Sequence, residues 1–219
     1  MRKEVALVIG IALIAVAAWL FGARLYRGAQ EERRPAAAAE SPAVDPALLV
    51  HPDSPSKGPR GAKVTIVEFL DPECEACRAM YPYVNRVLAE QDGRVRLVVR
   101  YLPLHANSMQ AMAALEAAGE QGRYWEMLDA LFANQPVWGD HRSPRPELIP
   151  SYARQIGLDM AAFQASYEGI KHRAKIERDR GDAEQLGVRG TPSFFVNGRL
   201  LPELGYEPLR ALVAEELAK

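Results

Sequence analysis

Val64-Thr65-Ile66-Val67-Glu68-Phe69-Leu70-Asp71-Pro72-Glu73-Cys74-Glu75-Ala76-Cys77 is the stretch on which the fold turns. Its opening run, residues 64–70, is β-branched or apolar apart from one glutamate, and reads as a strand buried on both faces. Asp71-Pro72-Glu73 breaks the strand. A helix is predicted to start at the cysteines and to run to about Gln91, with Pro82 inside it, where a missing N–H bends the axis. Asp92-Gly93 turns the chain. Residues 94–102, with Val95, Leu97, Val98 and Val99, then form a second strand. Strand, helix, strand is a βαβ unit, whose two strands lie parallel.

Working outward, Pro52, Pro55, Gly58-Pro59 and Gly61 mark a lead-in loop, and order is expected from about Leu48. After Pro103 the pattern becomes helical for a long stretch. Helices are predicted over 108–120, 123–134 and 144–156. Asp159 is the N-cap of a fourth, running through Phe163, Tyr167 and Ile170 towards Glu184. The charged run at 171–182 reads as a solvated face of that helix. Strands return at 193–196 and 199–201 around Asn197-Gly198, a strong hairpin signal because both residues tolerate positive φ. A helix over 207–218 closes the chain. The predicted order is βαβ, helices, ββα: an α/β unit with an all-helical insertion at about 104–186.

The bulk numbers fit one domain with additions. The chain has 219 residues, 48% of them hydrophobic and 25% charged, long enough to bury a core without disulfide staples. Lys+Arg 27 against Asp+Glu 28 leaves a net charge of -1, which gives no footprint for a nucleic-acid partner. Residues 5–23 are apolar and uncharged, close to the length a bilayer span needs. They read as an uncleaved transmembrane anchor, with a cleaved signal segment as the alternative. Arg24, Arg27, Arg33 and Arg34 follow the span and would by charge counting hold the next segment inside. The short N-terminal tail favours the signal-anchor orientation, with the domain exported. Residues 24–47, rich in Ala, Pro and charge, read as a linker, and 48–219 as the folded domain.

Both cysteines of the chain sit in Cys74-Glu75-Ala76-Cys77. A bridge across two residues closes almost no loop and is ill suited to stabilising a fold. It is suited to opening and closing. At a helix start, unpaired N–H groups and the positive dipole end favour a thiolate at Cys74. Glu73 and Glu75 oppose it. Cys77, a turn deeper, reads as the resolving thiol. The alternative is a fragment of a metal site. Structural zinc takes four ligands, and His51, His105, His141 and His172 show no metal-site spacing, so no metal ligand is assigned. His105, after the second strand, either lines the site or is packed elsewhere.

Together, Val67-Glu68-Phe69-Leu70-Asp71 leading into Cys74-x-x-Cys77, Pro82, Leu102-Pro103-Leu104-His105, and Gly187-Val188-Arg189-Gly190-Thr191-Pro192 followed by Phe195-Val196-Asn197-Gly198 resemble the DsbA-like disulfide oxidoreductases of the thioredoxin superfamily. The resemblance implies a thioredoxin fold. It implies Cys74 as nucleophile, Cys77 as buried partner, and Pro192 as a cis-proline facing the thiols. Thr191 would then pair its backbone with an extended substrate segment. Glu68 takes the place of a buried acid that moves protons at Cys77. Its alternative is a strand-edge charge facing water. The implied activity is a thiol–disulfide oxidoreductase of the cell envelope, periplasmic or exterior in facing. No bound cofactor is needed, the Cys74–Cys77 pair being the redox group. The implied partners are substrate proteins with thiols or disulfides, and a membrane redox partner. The strongest oxidants of the family carry a histidine where Glu75-Ala76 stands here, so the resemblance does not extend to strong oxidation. The competing reading is a thiol-based Cu(I)-binding module, since thiolates suit that ion.

Overall fold

The computed structural model describes residues 44–219, with Trp19, Phe21, Gly22 and Arg24 before them. Apart from those four residues, the predicted anchor and the predicted linker up to residue 43 lie outside the described residues. Among the described residues no helix is long and apolar enough to cross a membrane. Regular structure is present just before the expected Leu48. Asp45 caps a short helix α1 (Pro46–Leu49), accepting from the Ala47 N–H, and Leu49 is buried.

A five-stranded mixed sheet forms the centre of the described residues, in the order β1 (Ser56–Lys57), β3 (Val95–Tyr101), β2 (Val64–Leu70), β4 (Ser193–Val196), β5 (Arg199–Leu200). Strands β2 and β3 are parallel, joined by helix α2 (Glu75–Glu90). Strand β4 runs antiparallel to β2, and β5 antiparallel to β4. Asn197 and Gly198 take φ of 47° and 84°, the backbone that a tight hairpin between right-twisted strands requires. Strand β1 pairs antiparallel with β3. It falls in the stretch read from sequence as a loop, being too short to show a period of two.

Because side chains alternate along a strand, β2 serves two cores. Val64, Ile66 and Leu70 pack in the larger one with α2 and the inserted helices. Val67 and Phe69 pack in the smaller one, with Leu49, Val98, Leu102, Ala183 and Phe195. Glu68 shares the face of Ile66 and Leu70.

Between β3 and β4 lie α3 (Ser108–Gly119), α4 (Tyr124–Trp138), a 3-10 turn (Pro146–Leu148) leading into α5 (Ile149–Gln155), α6 (Met160–Tyr167) and α7 (Arg173–Gln185). Asp159 caps α6, accepting from the N–H groups of Ala161 and Ala162. The single long helix expected after Asp159 is in fact two, α6 and α7, interrupted at 168–172. The 171–182 run is not wholly solvated either: Asp179 and Asp182 are buried. Helix α8 (Tyr206–Ala218) closes the fold, packing against α2, β2 and β4.

Candidate active site

The loop leaving β2 is wound tightly enough to present a thiol at the start of α2. The Asp71 carboxylate accepts from the Glu73 N–H at 2.9 Å, and the Asp71 carbonyl from the Cys74 N–H at 3.0 Å. Cys74 is the N-cap of α2, with extended backbone, so its side chain lies where the helix leaves N–H groups unpaired. Cys77, one turn on, is fully buried, whereas Cys74 keeps 7% of its surface open. Both are free thiols.

The register of β4 brings the second chain segment here. Phe69 lies opposite Ser193 in the antiparallel pair, so the residues before Ser193 fall beside the loop after β2. The Thr191–Pro192 bond is cis. The Cys74 thiol donates to the Thr191 carbonyl at 3.2 Å. Glu68 does not face water; it is 1% exposed, and among the described residues neither carboxyl oxygen has a hydrogen-bond partner. The structure thus gathers Glu68, Cys74, Cys77, Thr191 and Pro192 at one end of the sheet.

The electrostatics separate the two sulfurs. A hydrogen bond from Cys77 is the main cause that lowers the Cys74 pKa to about 5, against the opposing effect of burial; the Thr191 side chain and the backbone N–H groups of Cys77 and Ala76 add to it. Burial first, and its hydrogen bond to Cys74 second, push the Cys77 thiol well above its ordinary value. Burial, reinforced by the charge of Cys74, raises Glu68 to about 8. One sulfur is thereby ready as a thiolate, and the other holds its proton beside an acid that also holds one.

A further group of residues secures the loop, and sequence reasoning missed most of it. The second oxygen of Asp71 accepts from the Leu104 N–H at 2.9 Å, from His105 Nδ1 at 2.8 Å and from Ser108 Oγ at 2.7 Å. Glu73 is buried and takes two hydrogen bonds from Asn107, from its N–H and its Nδ2, both at 2.7 Å. Gln135 Nε2 donates to the Pro72 and Cys74 carbonyls at 2.8 and 2.9 Å. The signal available in sequence was the pair of acids flanking the cysteines. Buried acids need donors, and these came from Leu104, His105, Asn107 and Ser108, leading into α3.

Residues 51–215 match the family model described as thioredoxin. A curated relative, the Na+/H+ antiporter NhaA 3 of Salinispora tropica, is 39% identical over 160 residues, which cover 71% of this chain and 24% of that protein. The chain spans about a quarter of the length of such curated relatives. Among solved structures, a thioredoxin-like oxidoreductase from Silicibacter pomeroyi DSS-3 is 30% identical with a TM-score of 0.69, covering 80% of this chain and 99% of that one. The thiol-disulfide exchange protein alpha-DsbA2 from Wolbachia pipientis is 23% identical with a TM-score of 0.67, covering 78% of this chain and 90% of that one. By its matching family model and by the arrangement of its sheet and helices, the chain belongs to the thioredoxin superfamily and carries the fold of the DsbA-like thiol–disulfide oxidoreductases.

Proposed function

We propose that this protein exchanges disulfides with substrate proteins through Cys74 and Cys77, outside the cytoplasm and held to the membrane by residues 5–23. A membrane-bound redox partner returns the pair to its working state. The reading is carried by one juxtaposition: a helix-capping thiol, held 3.2 Å from the carbonyl that precedes a cis-proline, with a buried thiol behind it.

In the oxidised protein a substrate thiolate attacks the Cys74 sulfur. The Cys74–Cys77 bond breaks, a mixed disulfide forms, and Cys77 leaves with the proton of Glu68. A second substrate thiolate then attacks the substrate sulfur of the mixed disulfide. This releases Cys74 as a thiolate and the substrate as a disulfide, so two electrons pass from substrate to protein. Run backwards, the same steps reduce a substrate. Thr191 and Pro192 dock the substrate backbone alongside, in the manner of an added strand. The low pKa of Cys74 favours the reduced protein, and so favours oxidation of the partner despite Glu75.

The test is Cys74→Ser in an assay of insulin disulfide reduction together with a glutathione equilibrium on the wild type. Loss of turnover in the variant is expected, with a wild-type potential less negative than the about -270 mV of thioredoxin. Turnover retained by the variant overturns the reading. A potential below thioredoxin's overturns the direction.

A further inference from the structure

His105 takes no part in these steps, yet the fold delivers it to the redox loop. Leu70 and Tyr101 are in register in the parallel pair β2–β3, so the chain leaves both strands side by side. His105 thereby meets Asp71, Nδ1 to Oδ2, at 2.8 Å, while its side chain stays 28% exposed. Asp71 is fully buried and lies three residues before Cys74. A carboxylate there opposes a thiolate by like charge. Its other partners, the Glu73 and Leu104 N–H groups and the Ser108 hydroxyl, are neutral. Among the described residues, His105 is the one partner of Asp71 that can carry a positive charge. The tetrapeptide itself offers none, since Glu75-Ala76 separates its cysteines.

We infer that His105, held by Asp71, is a positioning residue of the redox site that offsets the Asp71 charge as an imidazolium and so keeps Cys74 ionised. The inference rests on the thiol–disulfide reading and names the cation that this reading lacks. The titratable groups facing His105 are few. Asp71 and Glu73 face it from the loop after β2, and Cys74 from the start of α2. His141, from the segment after α4, lies 5.8 Å away between ring centroids, with its Nε2 3.9 Å from Glu75 Oε1. Burial draws the His105 pKa down. The hydrogen bond and charge of Asp71, with Cys74 and Glu73, outweigh it and raise the value. Coupling of this kind is reciprocal: if the imidazolium favours the thiolate, the thiolate favours the imidazolium.

The test follows the ultraviolet thiolate absorbance of the reduced full chain against pH, in the wild type and in His105→Gln. The glutamine keeps a hydrogen-bonding group without the charge. The Cys74 midpoint is expected to rise by about one unit, a tenfold loss of thiolate relative to thiol below it. A second measurement needs no variant. In the wild type, the His105 midpoint read by proton NMR should fall when the thiols are oxidised to the disulfide, because the thiolate charge is gone. An unmoved thiolate in His105→Gln, or equal His105 midpoints in the two redox states, overturns the inference. Neither readout requires exchange with a protein. An inactive protein whose thiolate shifts as expected therefore sinks the proposed function and supports the role of His105, and an active protein with an unmoved thiolate does the reverse.

Discussion

A single carboxyl shows how the site is charged. Glu68 sits in a strand whose other side chains are almost all buried, and it has no hydrogen-bond partner among the described residues. An ionised carboxylate there would be expensive, and the group keeps its proton instead. Its pKa is 4.5 when exposed and about 8 in the fold, for which burial is the main cause. Below pH 4.5 it is neutral in both states and costs nothing. Between 4.5 and about 8 the unfolded chain releases the proton while the folded one holds it, so stability falls with rising pH, and above about 8 the loss is complete. Glu68→Gln should therefore be more stable than the wild type above pH 8 by on the order of a few kcal/mol, and about equal to it near pH 4. Urea denaturation of both reduced proteins across this range checks the prediction; parallel curves would sink it. The same variant should slow the release of Cys77 from the disulfide by about 100-fold, the usual worth of a lost proton donor. A charge amid apolar neighbours was legible in the sequence. That it lies on the strand face packed against the thiols, and that no donor among the described residues reaches it, depended on the alternation of β2 against α2.

At the scale of elements, the inserted helices hold the redox loop. Gln135 belongs to α4, yet its amide donates to two carbonyls of the loop, those of Pro72 and Cys74. Asn107, at the start of α3, fixes Glu73. Gln135→Leu keeps the volume roughly and leaves both carbonyls without that donor, in a buried place. The expected loss is about 1–3 kcal/mol of stability, with a change in the alkylation rate of Cys74 under native conditions. Urea midpoints and a timed iodoacetamide reaction read the two effects, and an unchanged midpoint would remove Gln135 from the clamp. The sequence could not show this clamp, because its partners stand 63 and 61 residues apart in the chain. Elements with long periodic patterns were legible, and β2, α2, β3 and the Asn197-Gly198 hairpin all lie close to where the pattern puts them. The break at 168–172 was not. The apolar positions Phe163, Tyr167 and Ile170 continue a helical spacing across it, but Ile170 is 83% exposed, and α7 sets off again from His172 to lie against β3. Packing on the sheet overrode the local pattern.

At the largest scale, three elements of the folded domain are tied together by one side chain that the sequence disguised. Arg100 lies in β3 with no exposed surface. Its guanidinium donates to the Leu48 carbonyl of α1 at 2.7 Å and to Asp179 and Asp182 of α7 at 2.9 and 2.5 Å. Asp179 also accepts from the Tyr101 N–H, and His51 Nε2 lies 2.7 Å from Asp182. His51, Asp179 and Asp182 place their ligand atoms within 4.8 Å of one another, but the cation among them is the guanidinium. Helix α1, the central sheet and the last inserted helix therefore meet on the Arg100 guanidinium. From sequence, Asp179 and Asp182 belong to a run of mixed charge, and nothing local distinguishes the two that turn inward. Removing one partner of a buried ion pair leaves an uncompensated charge and costs about 3–5 kcal/mol, whereas replacing the whole set by neutral groups of similar size is often far milder. Arg100→Met should accordingly lower stability by about 3–5 kcal/mol. The triple variant Arg100→Met, Asp179→Asn, Asp182→Asn should recover a large part of that loss, since no bare carboxylate remains. Urea unfolding of the wild type, the single and the triple variant decides it. A single variant as stable as the wild type would show that these three elements are held by apolar packing alone, and a triple variant no better than the single would show that the Arg100 stem, and not its charge, supplies the tie.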